Sequence, residues 1–437
     1  MREQVRIKLS DVSVALFRAL NFQVLLLLLL STQMTMTTET TNLQRLSRAH
    51  LEFALSLFRE MTDEANPMDN VVVSPFSVAS VLSQLWLGAG EGSNVSNALQ
   101  SILHYEDVGL LPEQVHESFR SSLETLHDPD YQNVVQTANA VFVQAGVSIL
   151  KNYETDLRKY YNSSMDEVDF ENGESLARSI INRWVSKQTK GQIPKLLEMS
   201  LPSHTRLLLV NALALKALWK NSFDPTVTAS KGIFHHSPTS RVEIPMMAGK
   251  FQVLLGSSSD LNCRLLELPF RGRRLSMFII LPEAEETSEE EDKKPSLTRL
   301  ERNLNAENLK KLFSTLKEET VQIRMPRFRI AQTSSLVETL SRMGLSSIFD
   351  GSHANFSRLS DSTELHVSAI AHKVVLEVRE KGAQAAAATA TGIERLGSFG
   401  EKFFEVNRPF IFFIWDYHSG ALLFIGRVAY PEPLPPQ

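Results

Sequence analysis

Residues 372–391 read HKVVLEVREKGAQAAAATAT, and this stretch is the strongest evidence in the chain for its fold. Residues 374–378 place apolar side chains at every second position, which is typical of a β-strand with one buried face. From Ala383 to Thr391 every side chain except Gln384 is small, and the run contains no charge and no proline. Such a run can slide between two strands of a packed sheet without clashes, with Gly382 as the hinge because its φ is unrestricted.

A different interpretation of the same run is an alanine-rich helix or a flexible linker. Alanine is the best helix former, so composition alone favours that interpretation. A predicted strand precedes the run, and another strand pattern begins near Phe403. These flanking strands favour the interpretation that the run itself becomes a strand of a sheet. Local propensity and final structure often disagree at functional sites, so residues 383–391 are a candidate functional segment.

The composition indicates a globular protein without a nucleic-acid partner. The chain has 437 residues, of which 43% are hydrophobic and 22% charged, with a net charge of −5 and a pI near 6.2. One basic cluster, Arg264, Arg271, Arg273 and Arg274, surrounds apolar residues, so a solvated strand face is favoured over a polyanion site. Cys263 is the only cysteine, so the chain forms no internal disulfide.

The N-terminus indicates secretion. Basic residues precede an apolar run at residues 24–30, which is too short for a comfortable membrane span of roughly 20 residues. We predict a signal peptide over residues 1–31 and a polar tail over residues 32–42, with an uncleaved anchor as the alternative. Three glycosylation sequons, at Asn94, Asn162 and Asn355, agree with an extracellular glycoprotein that has no membrane contact after cleavage.

The helix patterns lie mostly in the first half of the chain. A helix is predicted over residues 43–59, and a second begins with Ser74 as N-cap and Pro75 in its first turn. Further helices are predicted over residues 150–161, 174–188, 297–316 and 334–343, the last ending at Gly344.

Strand patterns dominate the second half. Residues 207–218 and 276–281 are nearly continuous apolar runs, as in strands buried on both faces. Residues 321–325 and 374–378 have an apolar side chain at every second position, as in strands with one buried face. Residues 409–415 and 421–428 are predicted strands that flank a hairpin turn. Because helices and strands do not alternate strictly, the predicted fold class is α+β around large sheets.

Catalytic motifs are missing from the sequence. It contains no G-x-S-x-G, H-E-x-x-H or C-x-x-C pattern, and the adjacent His235 and His236 are poorly spaced for a metal. We therefore expect no catalytic residue, metal or cofactor, and we look for the function in a binding surface.

Six motifs in order resemble those of the serpin family, over nearly the whole chain from about residue 45 to Pro431. They are Asn70–Ser77, Leu209–Trp219, Ile244–Met247, His372–Thr389, Asn407–Phe410 and Leu423–Val428. The resemblance implies one domain over residues 43–437, with three β-sheets, about nine helices and an exposed reactive-centre loop near residues 380–402. It also implies a one-use, monomeric inhibitor of a serine protease, whose cut loop inserts into the central sheet.

The resemblance assigns roles to individual residues. The loop hinge would comprise Glu380, Gly382, Ala383, Ala385, Ala386, Ala387, Ala388 and Thr389. A sheet-opening cluster would comprise Ser74, Ser77, Asn211, His372, Trp219 and Arg327, with Arg327 paired to Glu380. The bond attacked by the protease would be Leu396–Gly397, or Arg395–Leu396 after a shift of one residue.

The two positions of the bond imply different targets. Leucine suits a chymotrypsin-like or elastase-like protease, whereas arginine suits a trypsin-like one. The rival class is a serpin that does not inhibit and instead carries a ligand or acts as a chaperone. Such members usually have proline, charge or bulk in the hinge, which residues 383–391 lack.

Overall fold

The structure is a computed structural model of the chain. It describes residues 38–126, 134–163, 165–237, 239–283, 296–362, 364–380 and 402–436.

Nine α-helices lie within these described ranges. They are α1 Thr38–Glu64, α2 Pro75–Gly88, α3 Asn94–Ile102, α4 Pro112–Leu126, α5 Lys151–Tyr161, α6 Glu174–Gln188, α7 Ser296–Asn303, α8 Ala306–Ser314 and α9 Val337–Leu340. Among the described residues, no helix has the length and apolar character that a membrane crossing needs.

Three helix predictions were wrong in their bounds. α1 begins at Thr38, inside the predicted polar tail, and continues to Glu64. The helix predicted over residues 297–316 is two helices, because Asn305 caps α8 by accepting a hydrogen bond from the Asn308 N–H. The helix predicted over residues 334–343 is only α9, followed by a π-helical turn, Ser341–Leu345, in which Gly344 has φ 107°.

Fifteen strands complete the described fold. They are β1 Val71–Val73, β2 Val135–Gln144, β3 Met165–Val168, β4 Leu207–Leu215, β5 Ala229–His235, β6 Arg241–Ser258, β7 Cys263–Pro269, β8 Leu275–Pro282, β9 Lys317–Pro326, β10 Phe328–Ser335, β11 Val367–Val378, β12 Lys402–Glu405, β13 Phe410–Asp416, β14 Ala421–Val428 and β15 Glu432–Pro433. The predicted α+β class is confirmed.

The strands form two hydrogen-bonded sheets. One has six strands in the order β15–β10–β11–β4–β2–β3, and the other has nine, with β6 at the junction of two parts. The first residues of β6 pair with β5, its middle with β9, and its last residues with β7. The nine-stranded sheet therefore consists of two regions that share the long strand β6. These two regions and the six-stranded sheet correspond to the three predicted sheets.

Apolar layers cover both faces of the six-stranded sheet. On one face, Ile181 and Val185 of α6 pack against alternate residues of β2 and β4, including Phe142 and Val210. On the other face, the intervening residues, such as Leu209, join the main core that α2 shares with β14. The predicted strand over residues 207–218 ends at Leu215, and Trp219 beyond it bridges to Phe270.

Candidate functional site

The candidate site begins at the seam between β11 and β4, which we define by the paired residues 367–376 and 207–215. The two strands are parallel, with His372 opposite Asn211. Asn211 is in turn opposite Asn139 of β2, and His372 is opposite Ser334 of β10, so polar residues lie in one row across four strands.

His372 is a neutral hydrogen-bonding bridge at the centre of this row. The backbone N–H of Ser74 donates to its Nε2 at 3.2 Å, so Nε2 is unprotonated and Nδ1 carries the proton. Nδ1 donates to Asn211 Oδ1 at 2.5 Å. The side chain is fully buried, and desolvation lowers the pKa of His372 to about 3.

The rest of the cluster is only partly hydrogen-bonded. The Ser77 hydroxyl donates to Asn139 Oδ1 at 2.9 Å. Ser74 Oγ and Asn211 Nδ2 are buried and have no hydrogen-bond partner among the residues that the structure describes. Ser74 stands at the N-cap position of α2, as predicted, but its hydroxyl makes no capping hydrogen bond. A buried polar group that neither protein nor water satisfies costs roughly 1–3 kcal/mol.

A second group of predicted residues meets where β11 ends. Arg327 Nη1 donates to Glu380 Oε1 at 2.8 Å, and both side chains are more than nine-tenths buried. The Thr228 hydroxyl donates to the same carboxylate oxygen at 2.9 Å. Arg327 Nε donates to the Leu434 carbonyl at 3.0 Å, so this buried ion pair has further polar partners.

Trp219 fixes the backbone at the base of the loop. Its indole N–H donates to the Arg379 carbonyl at 2.7 Å, and its ring stacks on Phe270 with centroids 4.6 Å apart. The Glu380 carbonyl accepts from the Phe223 N–H at 2.9 Å. The chain is therefore held on both sides up to Glu380, the last described residue before the loop.

The predicted loop itself lies outside the described residues. This applies to Gly382, Ala383, Ala385, Ala386, Ala387, Ala388, Thr389, Arg395, Leu396 and Gly397. The three sequon asparagines are described, and Asn94, Asn162 and Asn355 are all exposed.

Sequence reasoning missed two members of these groups, Asn139 and Thr228. Asn139 carried little signal of its own, because β2 also contains Gln136, Thr137 and Gln144. Thr228 lies in an irregular segment, and its contact with Glu380 depends on tertiary structure alone.

A model of the family described as "Serpin (serine protease inhibitor)" matches residues 48–431. The chain belongs to the serpin family. Among its relatives, human leukocyte elastase inhibitor is 33% identical over 395 residues, which cover 89% of this serpin and all of the relative. Mouse macrophage plasminogen activator inhibitor 2 is 31% identical over 427 residues, with the same coverage.

Solved serpin structures share the fold. Human thyroxine-binding globulin in complex with thyroxine superposes with a TM-score of 0.78 at 28% identity, covering 90% of this serpin and all of that chain. Mouse protein Z-dependent protease inhibitor gives a TM-score of 0.77 at 26% identity, with the same coverage. Because one of these proteins is named for a hormone and the other for protease inhibition, the fold alone does not choose between the two classes.

Proposed function

We propose that this serpin inhibits a serine endopeptidase by covalent trapping, with residues 383–400 as the bait loop and the seam between β4 and β11 as the destination of the cut loop. The observation that carries the proposal is the combination of two features: a run of small residues that begins five positions after the end of β11 in the sequence, and a parallel seam between β11 and β4 that contains buried polar atoms without a partner among the described residues.

The direction of the strands suits insertion. β4 and β11 run parallel, and the loop leaves from the end of β11. A segment that folds back from Glu380 into the seam runs antiparallel to both strands. Insertion thus replaces one parallel ladder by two antiparallel ones, and parallel pairing is slightly the less stable of the two per residue.

The energy gained by insertion is large compared with ordinary stability differences. The register of the seam covers nine residues of β4, from Leu207 to Leu215. At roughly 1 kcal/mol net per hydrogen bond, one additional ladder of this length contributes on the order of 10 kcal/mol. Small side chains at residues 383–391 let the strand enter between the apolar layers on the two faces without displacing them.

The chemistry starts in the protease. Its serine hydroxyl adds to the carbonyl carbon of the bait residue, and the hydroxyl proton passes through the protease histidine to the leaving amine. The peptide bond breaks and an ester links the protease to the new carboxyl end of the loop. Insertion must then displace the protease before water hydrolyses the ester. The hinge side chains affect the rate of insertion, and they therefore determine whether insertion is faster than hydrolysis of the ester.

The bait residue sets the class of target. With Leu396 in that position, the amine of Gly397 leaves, and the target is a chymotrypsin-like or elastase-like protease. With Arg395, the amine of Leu396 leaves, and the target is trypsin-like. The name of the human relative, leukocyte elastase inhibitor, supports the first assignment.

The carrier alternative has less support. A cavity between α1, α8, β13 and β14 is lined by eight apolar side chains, but it encloses only about 20 Å³. That volume is sufficient for one water molecule only. A more open cleft of about 420 Å³, lined by residues that include Tyr153, Asp156 and Arg358, lies in the volume range of ligand pockets. Cavity volume therefore does not decide against a carrier, and the argument against it is the composition of residues 383–391.

The test is incubation with chymotrypsin, elastase and trypsin, followed by denaturing gels and mass spectrometry. We expect a covalent complex that survives denaturation, and a released peptide that begins at Gly397. A peptide that begins at Leu396 would assign the bait to Arg395. Complete cleavage of the loop with no complex for any of the three proteases would contradict inhibition and favour the carrier or chaperone class.

We further propose that the protein is secreted, with residues 1–31 removed as a signal peptide. The exposed positions of Asn94, Asn162 and Asn355 support glycosylation on the secretory route. Expression in secreting cells should give protein in the medium whose mobility increases after endoglycosidase treatment. Protein retained in the cells without a mobility change would contradict this proposal.

A further inference from the structure

Phe403 is an exposed aromatic residue at the point where the described chain resumes after the loop. Its side chain is 55% exposed, whereas that of its neighbour Phe404 is fully buried. Successive residues of a strand point to opposite faces, so Phe404 belongs to the core and Phe403 to the outer face of the sheet.

The surroundings of Phe403 on this outer face are polar. Phe403 is opposite Gln322 of β9, and Gln322 is opposite Lys250 of β6. Two residues further along, Glu405 forms an ion pair with Arg324 at 3.3 Å. A singly exposed aromatic residue is ordinary on a protein surface, but within an interface a large aromatic side chain surrounded by polar neighbours is the type of residue that acts as a hot spot.

The backbone of Phe403 is held in place. Arg264 Nη1 donates to the Phe403 carbonyl at 2.8 Å, and its guanidinium lies 5.2 Å from the centre of the Phe404 ring. Lys402 Nζ donates to Glu319 Oε1 at 2.6 Å. An aromatic side chain on a fixed backbone binds with a small loss of conformational entropy, which favours its use as an anchor.

The loop length identifies the partner that reaches this surface. Phe403 follows the proposed bait residue, Leu396, by seven residues, which span at most about 25 Å when fully extended. A protease domain of about 200 residues has a radius of gyration of about 16 Å, and is therefore about 40 Å across. A protease bound at the bait bond is thus large enough to cover the outer face of β12.

We propose that Phe403 is a docking anchor for the target protease, which contacts it with an apolar surface outside the substrate cleft. This inference rests on the proposed inhibition and adds a specificity-determining residue to it. Contact at Phe403 forms in the encounter complex, before the bait bond is attacked. The contact raises the rate of association with the protease. It leaves the ratio between the rate of loop insertion and the rate of ester hydrolysis unchanged.

The test compares Phe403→Ala with the control Leu111→Ala, which removes a 65% exposed apolar side chain just before α4. We expect Phe403→Ala to lower the association rate constant with the target protease about tenfold. The fraction of protease converted to covalent complex and the melting temperature should match those of the wild type. Phe403→Tyr should restore most of the rate.

The outcomes separate this inference from the function on which it rests. If the wild type forms no complex with any protease, the proposed inhibition has failed. If the wild type forms a complex and Phe403→Ala associates as fast as Leu111→Ala, the docking anchor has failed. Weaker binding of a catalytically inactive protease to Phe403→Ala would support docking without chemistry. A wild-type dimer that Phe403→Ala dissociates would assign the surface to a second copy of the chain and overturn the proposal.

Discussion

Two pairs of strands in this serpin are built for opposite purposes. The seam between β4 and β11 is parallel and places His372 and Asn211 in the interior, where Asn211 Nδ2 and Ser74 Oγ have no hydrogen-bond partner in the described part of the chain. The pair β13–β14 is antiparallel and joined by a short turn, and every one of its residues is buried. On its β8 side, Phe413 stacks on Phe278 with ring centroids 5.1 Å apart.

The difference shows how one chain can combine a permanent core with a sheet that opens. The pair β13–β14 is mostly apolar, and its buried Asp416 and Arg427 are paired with Arg274 and Glu301, although Trp415 Nε1 also lacks a hydrogen-bond partner among the described residues. Such a pair loses packing and hydrogen bonds together when it separates, so it separates only on global unfolding. The seam has weaker pairing and a polar row whose hydrogen bonds are incomplete, so it can separate locally. Each of the following predictions changes one side of this comparison.

The largest effect is expected from a charge in the loop. Ala387→Glu would bring a carboxylate into the seam, where burial of an unpaired charge slows or prevents insertion. We expect the variant to be cleaved as a substrate with no covalent complex, while its native melting temperature stays unchanged. Ala387→Ser is the matched control, and it should still trap the protease. An undiminished complex with Ala387→Glu would contradict the role of the seam.

A large effect on stability is expected in the permanent core. Phe413→Ala removes a ring that is 3% exposed, and such a truncation costs about 3–5 kcal/mol. Because β13–β14 does not change on insertion, the loss should be the same before and after loop cleavage, as measured by chemical denaturation. A loss confined to the intact form would show that β13–β14 also rearranges.

Acid should destabilise the native protein through its buried histidines. Burial lowers the pKa of His372, His50 and His116 to about 3, from 6.5 in the unfolded chain. The unfolded state therefore binds more protons below pH 6.5, and the stability is lost as pH falls through that value. Between pH 7.5 and 5.5 each histidine contributes a loss of about 1.4 kcal/mol.

His372→Gln tests how much of this pH-dependent loss of stability comes from the histidine of the seam. Glutamine can accept from the Ser74 N–H and donate to Asn211 without titrating. The loss of stability between pH 7.5 and 5.5 should be smaller by about 1.4 kcal/mol than in the wild type. An unchanged loss would mean that His372 is not a neutral bridge in the native seam.

The smallest effects come from the two serines of the cluster, and they should have opposite signs. Ser74→Ala removes a buried hydroxyl that has no partner within the described ranges, and it should raise the stability of the intact form by about 1 kcal/mol. Ser77→Ala breaks the hydrogen bond to Asn139 and should lower it by a similar amount. Equal shifts of the same sign, measured by denaturant titration, would show that the Ser74 hydroxyl has a partner.

Much of the fold could be predicted from the sequence, because periodicity and caps act locally. The patterns over residues 150–161 and 174–188 correspond to α5 and α6, and the apolar runs correspond to β4 and β8. Predictions failed where one residue changes the structure, as at Asn305, or where tertiary packing extends a helix, as in α1.

The candidate site was predictable in part. Its polar members were named through the family resemblance, but their hydrogen bonds depend on the register of strands distant in sequence. No local pattern indicates that Asn211 lies between His372 and Asn139, or that Ser74 Oγ remains unpaired. Phe403 was likewise not distinguishable from Phe404 as the exposed residue until the sheet was known.

The most direct test of the central claim is thermal unfolding of the intact protein and of protein cut once in the 383–400 loop by a non-target protease. If the cut loop inserts between β4 and β11, the additional ladder should raise the melting temperature by on the order of 10 °C. The Ala387→Glu variant, cut in the same way, should show little or no rise. An unchanged or lower melting temperature for the cut wild-type protein would contradict insertion into the seam.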